Sequence, residues 1–543
     1  MRNHFLRAKG VAAAASVETA PTVSVNNNLN TDEWTRITQR NLNNYSNYCD
    51  GAVDKEGDGS IYLLMDSGGA EYKLLKMTQS GAITWQKDFD YPSGTYYQLG
   101  QGMTVDNNGN LIMLGYYKDG NSTVSSGKCP LIMRVDSDGT LAWAYKFGTG
   151  HHSNSSSNAG YSLVVNKDNN IFVTGVVRGA TGIGTPFIGF LLRLTQTDSA
   201  ATLQWYKALE DSTTSGYLEP QGLATISNSE YVYFLSNKNT NAWNISRIKY
   251  DASSIDNQFI YRNSNWTQNN ANHQYSTAAD YMHIDANGNF YLTFSHDYTD
   301  SAVIKLDIDL NMEWAKEISS NSSTYSKNTF DFTAIGATDN SGDVLFACET
   351  KGNSTDSSNY PNLLLISFDS DGDFQWDKII TSLTTNDGAN TTQVTTTKNG
   401  RYRPYYLDGD TKDNFYLIGF FPGWRYADAY DFQHQWGGGV LKHQSGTEVP
   451  AGSYTSAASG HHYYASHSNP PTHWTSISDT TGYTYSTGSW TSSSTSPSAS
   501  YGGVELQDFP ANSGTWALTD VSSNIDIANV ATTEQGWTYK DDL

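Results

Sequence analysis

The chain has 543 residues, enough for two to four ordinary domains or for one large all-β domain with appendages. Aromatic residues make up 13% and charged residues only 16%, a balance that disfavours helices and, because the aromatics alternate with other apolar residues, disfavours disorder over most of the length. A formal charge of −22 with 33 basic residues offers no basic stripe for nucleic acid, no apolar run is long enough to span a membrane, and three scattered cysteines (Cys49, Cys129, Cys348) suit neither a disulfide framework nor a zinc site.

In chain order, residues 1–31 come first. The stretch "MRNHFLRAKGVAAAASVETA" carries basic residues and a short Ala-rich run, Val11 to Val17, too weak for a signal-peptide core. It is expected to be an ordered arm that anchors the protein to a larger assembly. "DEWTRITQR" follows, with Trp34 in the same setting as the aromatic of "ITWQKDF" and "MEWAKEI" further on.

Apolar runs preceded by Gly/Asn/Asp turns then recur at Ile61, Leu111, Ile171, Tyr231, Phe290, Val344 and Phe415, spaced 50, 60, 60, 59, 54 and 71 residues apart. Each has strand length, and the turn residues supply the positive φ that hairpins need. A second series trails the first: strand, tight turn and strand, ending in Trp85, Trp143, Trp205, Trp314 and Trp376, with Phe259 where a Trp is expected. Together they predict an all-β, seven-bladed β-propeller over residues 32–452, with the aromatics filling the wedges between blades. The seventh unit has three candidate strands, "PYYLD", "NFYLIGF" and "GGGVLKH", and no fourth. The Trp34 strand is expected to complete it and leave no free edge.

"DANGNFYLTF" and "DSDGTLAW" carry a resemblance. The repeat resembles the bacterial β-propeller repeat family, whose units read D-x-x-G-N-x-Y-x-x-G and then K-x-D-x-x-G-x-x-x-W, over about residues 32–450. Units four and seven depart from it. The resemblance implies an architecture and no single activity.

Turns between strands one and two, and three and four, are short and alike, whereas the other two connections vary widely, as in "ETKGNSTDSSNYPN" and "FPGWRYADAYDFQHQW". One end of the ring is therefore uniform and the other elaborate, and loops carry function more often than scaffold does. Candidate contact residues on the elaborate end are Tyr96, Tyr97, His151, His152, Trp266, Tyr298, Trp424 and Tyr426, a set suited to a sugar or a protein surface. Residues 453–543 are rich in Ser, Thr and Tyr. Alternating aromatics in "TGYTYSTGSWT" predict short strands, either a small β appendage or a wrap over the propeller. His461, His462, His467 and His473 match no metal-ligand spacing.

Catalytic signatures are missing. "DKEGDGSIYLLMD" has Met65 where a calcium loop needs a bidentate Glu, and no GxSxG, P-loop or HExxH occurs. Neither the arginine cluster of a sialidase nor the repeated docking signature of a quinone dehydrogenase is present. No enzymatic activity, cofactor or metal is expected. In style the chain resembles virion proteins of tailed bacteriophages, especially marine ones, in its "FLRAKGVAAAAS" lead, few cysteines and acidic Ser/Thr/Asn/Tyr-rich body. That resemblance implies a multicopy virion structural protein of tail, fibre or capsid, joined to other virion proteins by its arm and facing a host glycan or protein. The alternative is a secreted bacterial propeller, an adhesin or a glycan-processing enzyme.

Overall fold

An Asp or Asn after the inner strand sets the geometry of the first turn in blades two, three, five and seven. In the computed structural model, Oδ1 of Asp106, Asn166, Asp285 and Asp410 each accepts the backbone N–H groups two and four residues on. The Asn at the fifth position (Asn110, Asn170, Asn289, Asn414) donates its side-chain amide back to the same group. Between them sits a residue with positive φ: Gly109 at 79°, Gly288 at 87°, and Asn169 and Asp413 at 59°. Gly adopts that conformation freely, and Asn and Asp tolerate it. These carboxylates hold backbone donors, which is why the motif recurs in the sequence as a hairpin signal.

The structure describes residues 3–4, 7–8, 34–38, 49–55, 57–66, 72–90, 95–119, 128–148, 159–178, 187–211, 218–226, 229–238, 242–263, 281–296, 300–320, 331–350, 362–384, 403–410, 412–428, 431–448, 452–456, 473–478, 483–487, 490–494, 504–507, 517–529 and 539–541. They form seven antiparallel sheets. The inner strands are Cys49–Val53, Thr95–Val105, Ala159–Val165, Leu218–Ile226, Tyr281–Ile284, Asp331–Ala337 and Arg403–Gly409. Each packs beside the inner strands before and after it, and the seventh packs beside the first. This is a closed seven-bladed β-propeller. Trp34–Thr38 is the fourth strand of blade seven, pairing Trp34 with Lys442 and Ile37 with Gly439, as predicted.

The recurring Trp does more than fill a wedge. Nε1 of Trp85, Trp205 and Trp314 donates to the carbonyls of Ser137, Tyr250 and Ser370, at 3.0, 2.8 and 3.0 Å, each in the last turn of the next blade. A basic residue on the preceding strand (Lys76, Arg193 or Lys305) reaches the same carbonyl. From blade two the contact is Arg134 to Thr197 at 2.8 Å. Blade four carries Phe259, and there Tyr261, on the same face of the same strand, donates its hydroxyl to Leu310 at 2.7 Å. Register sets Asn257, opposite Arg247, and not the expected Phe259, at the place that Trp85, Trp143, Trp205, Trp314 and Trp376 hold in the other blades. The interblade hydrogen bond of blade four therefore comes from four residues further on.

The C-terminal segment contributes an outermost strand to every blade. His473–Ser478, Tyr483–Ser486, Trp490–Ser494, Val504–Gln507, Leu518–Asp520, Asp526–Asn529 and Tyr539–Asp541 pair antiparallel with the fourth strands of blades six, five, four, three, two, one and seven, in that order. The segment therefore runs around the ring against the direction of the blades, always on the latter half of the fourth strand. Gly452–Ser456 adds one more strand beside His473–Ser478. At the other terminus, Asn3–His4 pairs parallel with the inner strand of blade three and Arg7–Ala8 with that of blade four. Asn3–His4 also approaches the inner strands of blades two and five, which puts it in the central channel.

Two outcomes follow. Tyr261→Phe leaves the buried Leu310 carbonyl without its donor and should cost about 1–3 kcal/mol in urea unfolding. Ending the chain after Pro450 exposes the outer edges of the fourth strands, and the shortened protein should run as oligomers or aggregates on size exclusion where the full chain runs as one species.

Candidate functional site on the long-loop face

Strand order places the first and third turns of every blade at one end of the ring, and the other two connections at the opposite end. Of the residues expected on that second end, Tyr96 and Tyr97 open the inner strand of blade two, opposite Lys118 and Tyr117. Trp424 and Tyr426 lie in blade seven, opposite His434 and Phe432. His151, His152, Trp266 and Tyr298 lie outside the described residues. The C-terminal segment borders this end: Tyr117 is buried, and Asn524 of that segment donates to its hydroxyl at 2.7 Å.

Blade seven departs from the expected loop. "FPGWRYADAYDFQHQW" is not an irregular connection, because its strands run on as Asn414–Asp428 and Asp431–Gln444. The inner strand stops pairing at Phe420, and the Trp34 strand stops at Gly439. Beyond those points the two strands pair only with each other, as a ribbon roughly 25 Å long at about 3.3 Å per residue. Its register sets Pro422 opposite Trp436, Trp424 opposite His434 and Tyr426 opposite Phe432. By register and strand alternation these six positions belong to one face of the ribbon backbone. The other face is Phe421, Gly423 and Arg425 with Gly437, Gln435 and Gln433. The structure thereby joins Trp424 and Tyr426 to Phe432, His434 and Trp436, which the sequence reading passed over. Their signal was an aromatic or His at every second position, masked by the Pro-Gly pair and the aspartates that look like loop residues.

A polar cluster occupies the opposite, short-turn end, where blades five, six, seven and one meet. Lys55, in the first turn of blade one, pairs with Asp408 on the inner strand of blade seven and lies 4.0 Å from Asp339 in the first turn of blade six. Their side chains are 6%, 0% and 9% exposed, so water does not screen them. Tyr406 donates its hydroxyl to Asp408 Oδ2 at 2.6 Å, and the Gly409 N–H donates to Oδ1 at 2.9 Å. Gly409 is required there: a Cβ would stand 2.3 Å from the Ala337 carbonyl oxygen of blade six. His283 of blade five, also buried, holds the Ala337 carbonyl through Nε2 at 3.1 Å and faces Asp408 Oδ1 through Nδ1 at 3.5 Å. A carbonyl only accepts, so Nε2 carries the proton and Nδ1 is a lone pair.

Burial pushes Asp408 up to about 7 despite Lys55, and burial likewise raises Asp339. For Lys55, burial acts downward, and the carboxylates of Asp339, Asp408 and Asp410 outweigh it, leaving the group above its ordinary value. Burial, assisted by the Lys55 charge, holds His283 well below the usual imidazole range. The neutral His283 therefore favours the fold above the unfolded value near 6.5, and that contribution is lost as pH falls and the unfolded chain takes the proton. His283→Gln should flatten the decline in stability between pH 6.5 and 5 by up to about 1.4 kcal/mol per pH unit, read from urea midpoints across that range.

Among known proteins, no family model and no curated protein matches the chain. Solved structures do. Sqt1 of Saccharomyces cerevisiae aligns with a TM-score of 0.35 at 8% identity, covering 76% of this chain and 100% of that one. Prolyl oligopeptidase B of Galerina marginata aligns with a TM-score of 0.38 at 10% identity, covering 76% and 53%. A Bacteroides caccae protein of unknown function aligns with a TM-score of 0.26 at 12% identity, covering 64% and 93%.

Proposed function

We propose that this propeller is a non-enzymatic recognition protein, carried in several copies on the particle of a tailed bacteriophage, which meets a host-surface glycan or protein with its long-loop end. The ribbon of blade seven carries this reading. Register puts Pro422, Trp424, Tyr426, Phe432, His434 and Trp436 at alternate, mutually opposed positions of one two-stranded element. Aromatic rings suit sugar faces and protein contact surfaces alike, since they give large contact area with little conformational entropy to lose. Multiple copies would compensate for weak single contacts through high effective concentration. With Asn3–His4 and Arg7–Ala8 paired inside the ring, attachment to other virion proteins would fall to the part of the arm that follows them.

Binding of the purified protein to intact host cells and to their extracted surface polysaccharide tests the recognition half. Trp424→Ala combined with Trp436→Ala should weaken binding at least tenfold, about 1.4 kcal/mol, with an unchanged melting temperature. Equal binding by the double variant would remove the ribbon from the contact. Absence of the protein from purified particles by mass spectrometry would refute the virion half.

A further inference from the structure

We propose that Lys55 and Asp408 become joined by an intramolecular isopeptide bond, a covalent staple across the seam between the first and seventh blades. The reasoning starts from three groups held together at the short-turn end: an amine, a carboxyl in contact with it, and a second carboxyl, Asp339, 4.0 Å from the amine. All three side chains are withdrawn from water. A buried ion pair carries a large desolvation cost that its mutual attraction repays only in part. Conversion to an amide removes both charges and leaves a carbonyl with Tyr406 as its donor and an N–H on the side of Asp339, 4.0 Å away.

The surroundings act on the acid, favouring a protonated Asp408, whereas the carboxylates around Lys55 favour its charged form, so the amine must give up a proton as it attacks. The Nδ1 lone pair of His283 faces Asp408 Oδ1 at 3.5 Å and accepts a proton from the acid where it would repel the carboxylate. Burial acts in the same direction on Asp408. Tyr406 donates to Oδ2, where negative charge gathers when the carbon is attacked. Asp339 Oδ2 lies 4.0 Å from the amine and comes within reach of its proton after a shift of about 1 Å; its own Oδ1 is fixed by the Ala286 N–H at 2.8 Å.

The step balances without any oxidant or second reactant. Lys55 Nζ forms a bond to Cγ of Asp408, one C–O bond breaks, and that oxygen leaves as water with two protons drawn from the amine and the acid. Oδ2 remains as the amide carbonyl held by Tyr406, and the remaining N–H faces Asp339. Two other buried lysines make a useful contrast. Lys73 pairs with Asp88 within a single sheet, and Lys378 pairs with Glu448, whose side chain is 57% exposed and so open to water. Neither contact would close the ring.

Tryptic digestion of the folded full-length protein, followed by tandem mass spectrometry, tests the proposal. The expected product is a branched peptide joining the segments that hold Lys55 and Asp408, lighter than their sum by one water, about 18 Da. Lys55→Arg keeps the cation but cannot close the amide, and Asp339→Asn keeps the Ala286 contact but loses the proton carrier. Both should give linear peptides only, and on denaturing gels both should migrate differently from the looped wild type. If the wild-type digest yields Lys55 and Asp408 only in linear peptides, the bond does not form, whatever the variants do. A loss of water confined to Asp408 as a cyclic imide, with no second peptide attached, overturns it equally.

Discussion

A four-stranded sheet has two edges whose N–H and C=O groups need partners, and the need to satisfy those edges organises this molecule. Facing the channel, the inner strands pack against one another around the ring, and two of them take short parallel strands from the N-terminal arm. On the outside, the C-terminal segment supplies a partner to the fourth strand of every blade. Where the chain's two ends would otherwise leave a gap, both are used in one sheet. Trp34–Thr38 completes blade seven, and Tyr539–Asp541 pairs on top of it. The seam is thus held by strands from opposite ends of the sequence, and the Lys55–Asp408 contact lies at the same junction.

Between blades, apolar packing supplies bulk and hydrogen bonds supply register. Pairs such as Trp243 with Phe294, with ring centroids 4.2 Å apart, and Tyr233 with Phe290, at 4.7 Å, fill the wedge between blades four and five. Packing alone would tolerate sliding, because apolar contact has no preferred direction. The donors that reach a single carbonyl of the next blade, at 2.7–3.0 Å for Trp85, Trp205, Tyr261 and Trp314, fix one relative position.

The two ends of the ring differ in chemistry as a result. At the short-turn end, side chains are spent on holding turns and blades: Asp106, Asp285 and Asp410 on backbone N–H groups, and Asp339 and Asp408 on Lys55 and its neighbours. The ribbon of blade seven extends from the long-loop end.

The sequence by itself determined the blade. Its turn code, its strand-length apolar runs and its trailing aromatic are local in origin, and they repeat because each blade solves the same local problem. Trp34 was legible as the missing fourth strand because blade seven, read from "PYYLD" to "GGGVLKH", is one strand short. Tertiary structure decided what depends on residues far apart. The strands of residues 453–543 are only three to six residues long where they meet the blades, too short to show whether they pair with each other or with a neighbour. Each blade's open outer edge settled that. Trp424 and Tyr426 could be named from composition, but their partners Phe432, His434 and Trp436 emerge only when register is known, since a slip of one residue would send them to the other face. The Lys55 cluster was illegible for the same reason. Its members are ordinary titratable residues in four separate repeats, and only closure of the ring buries them together, where the absence of water gives them their chemistry.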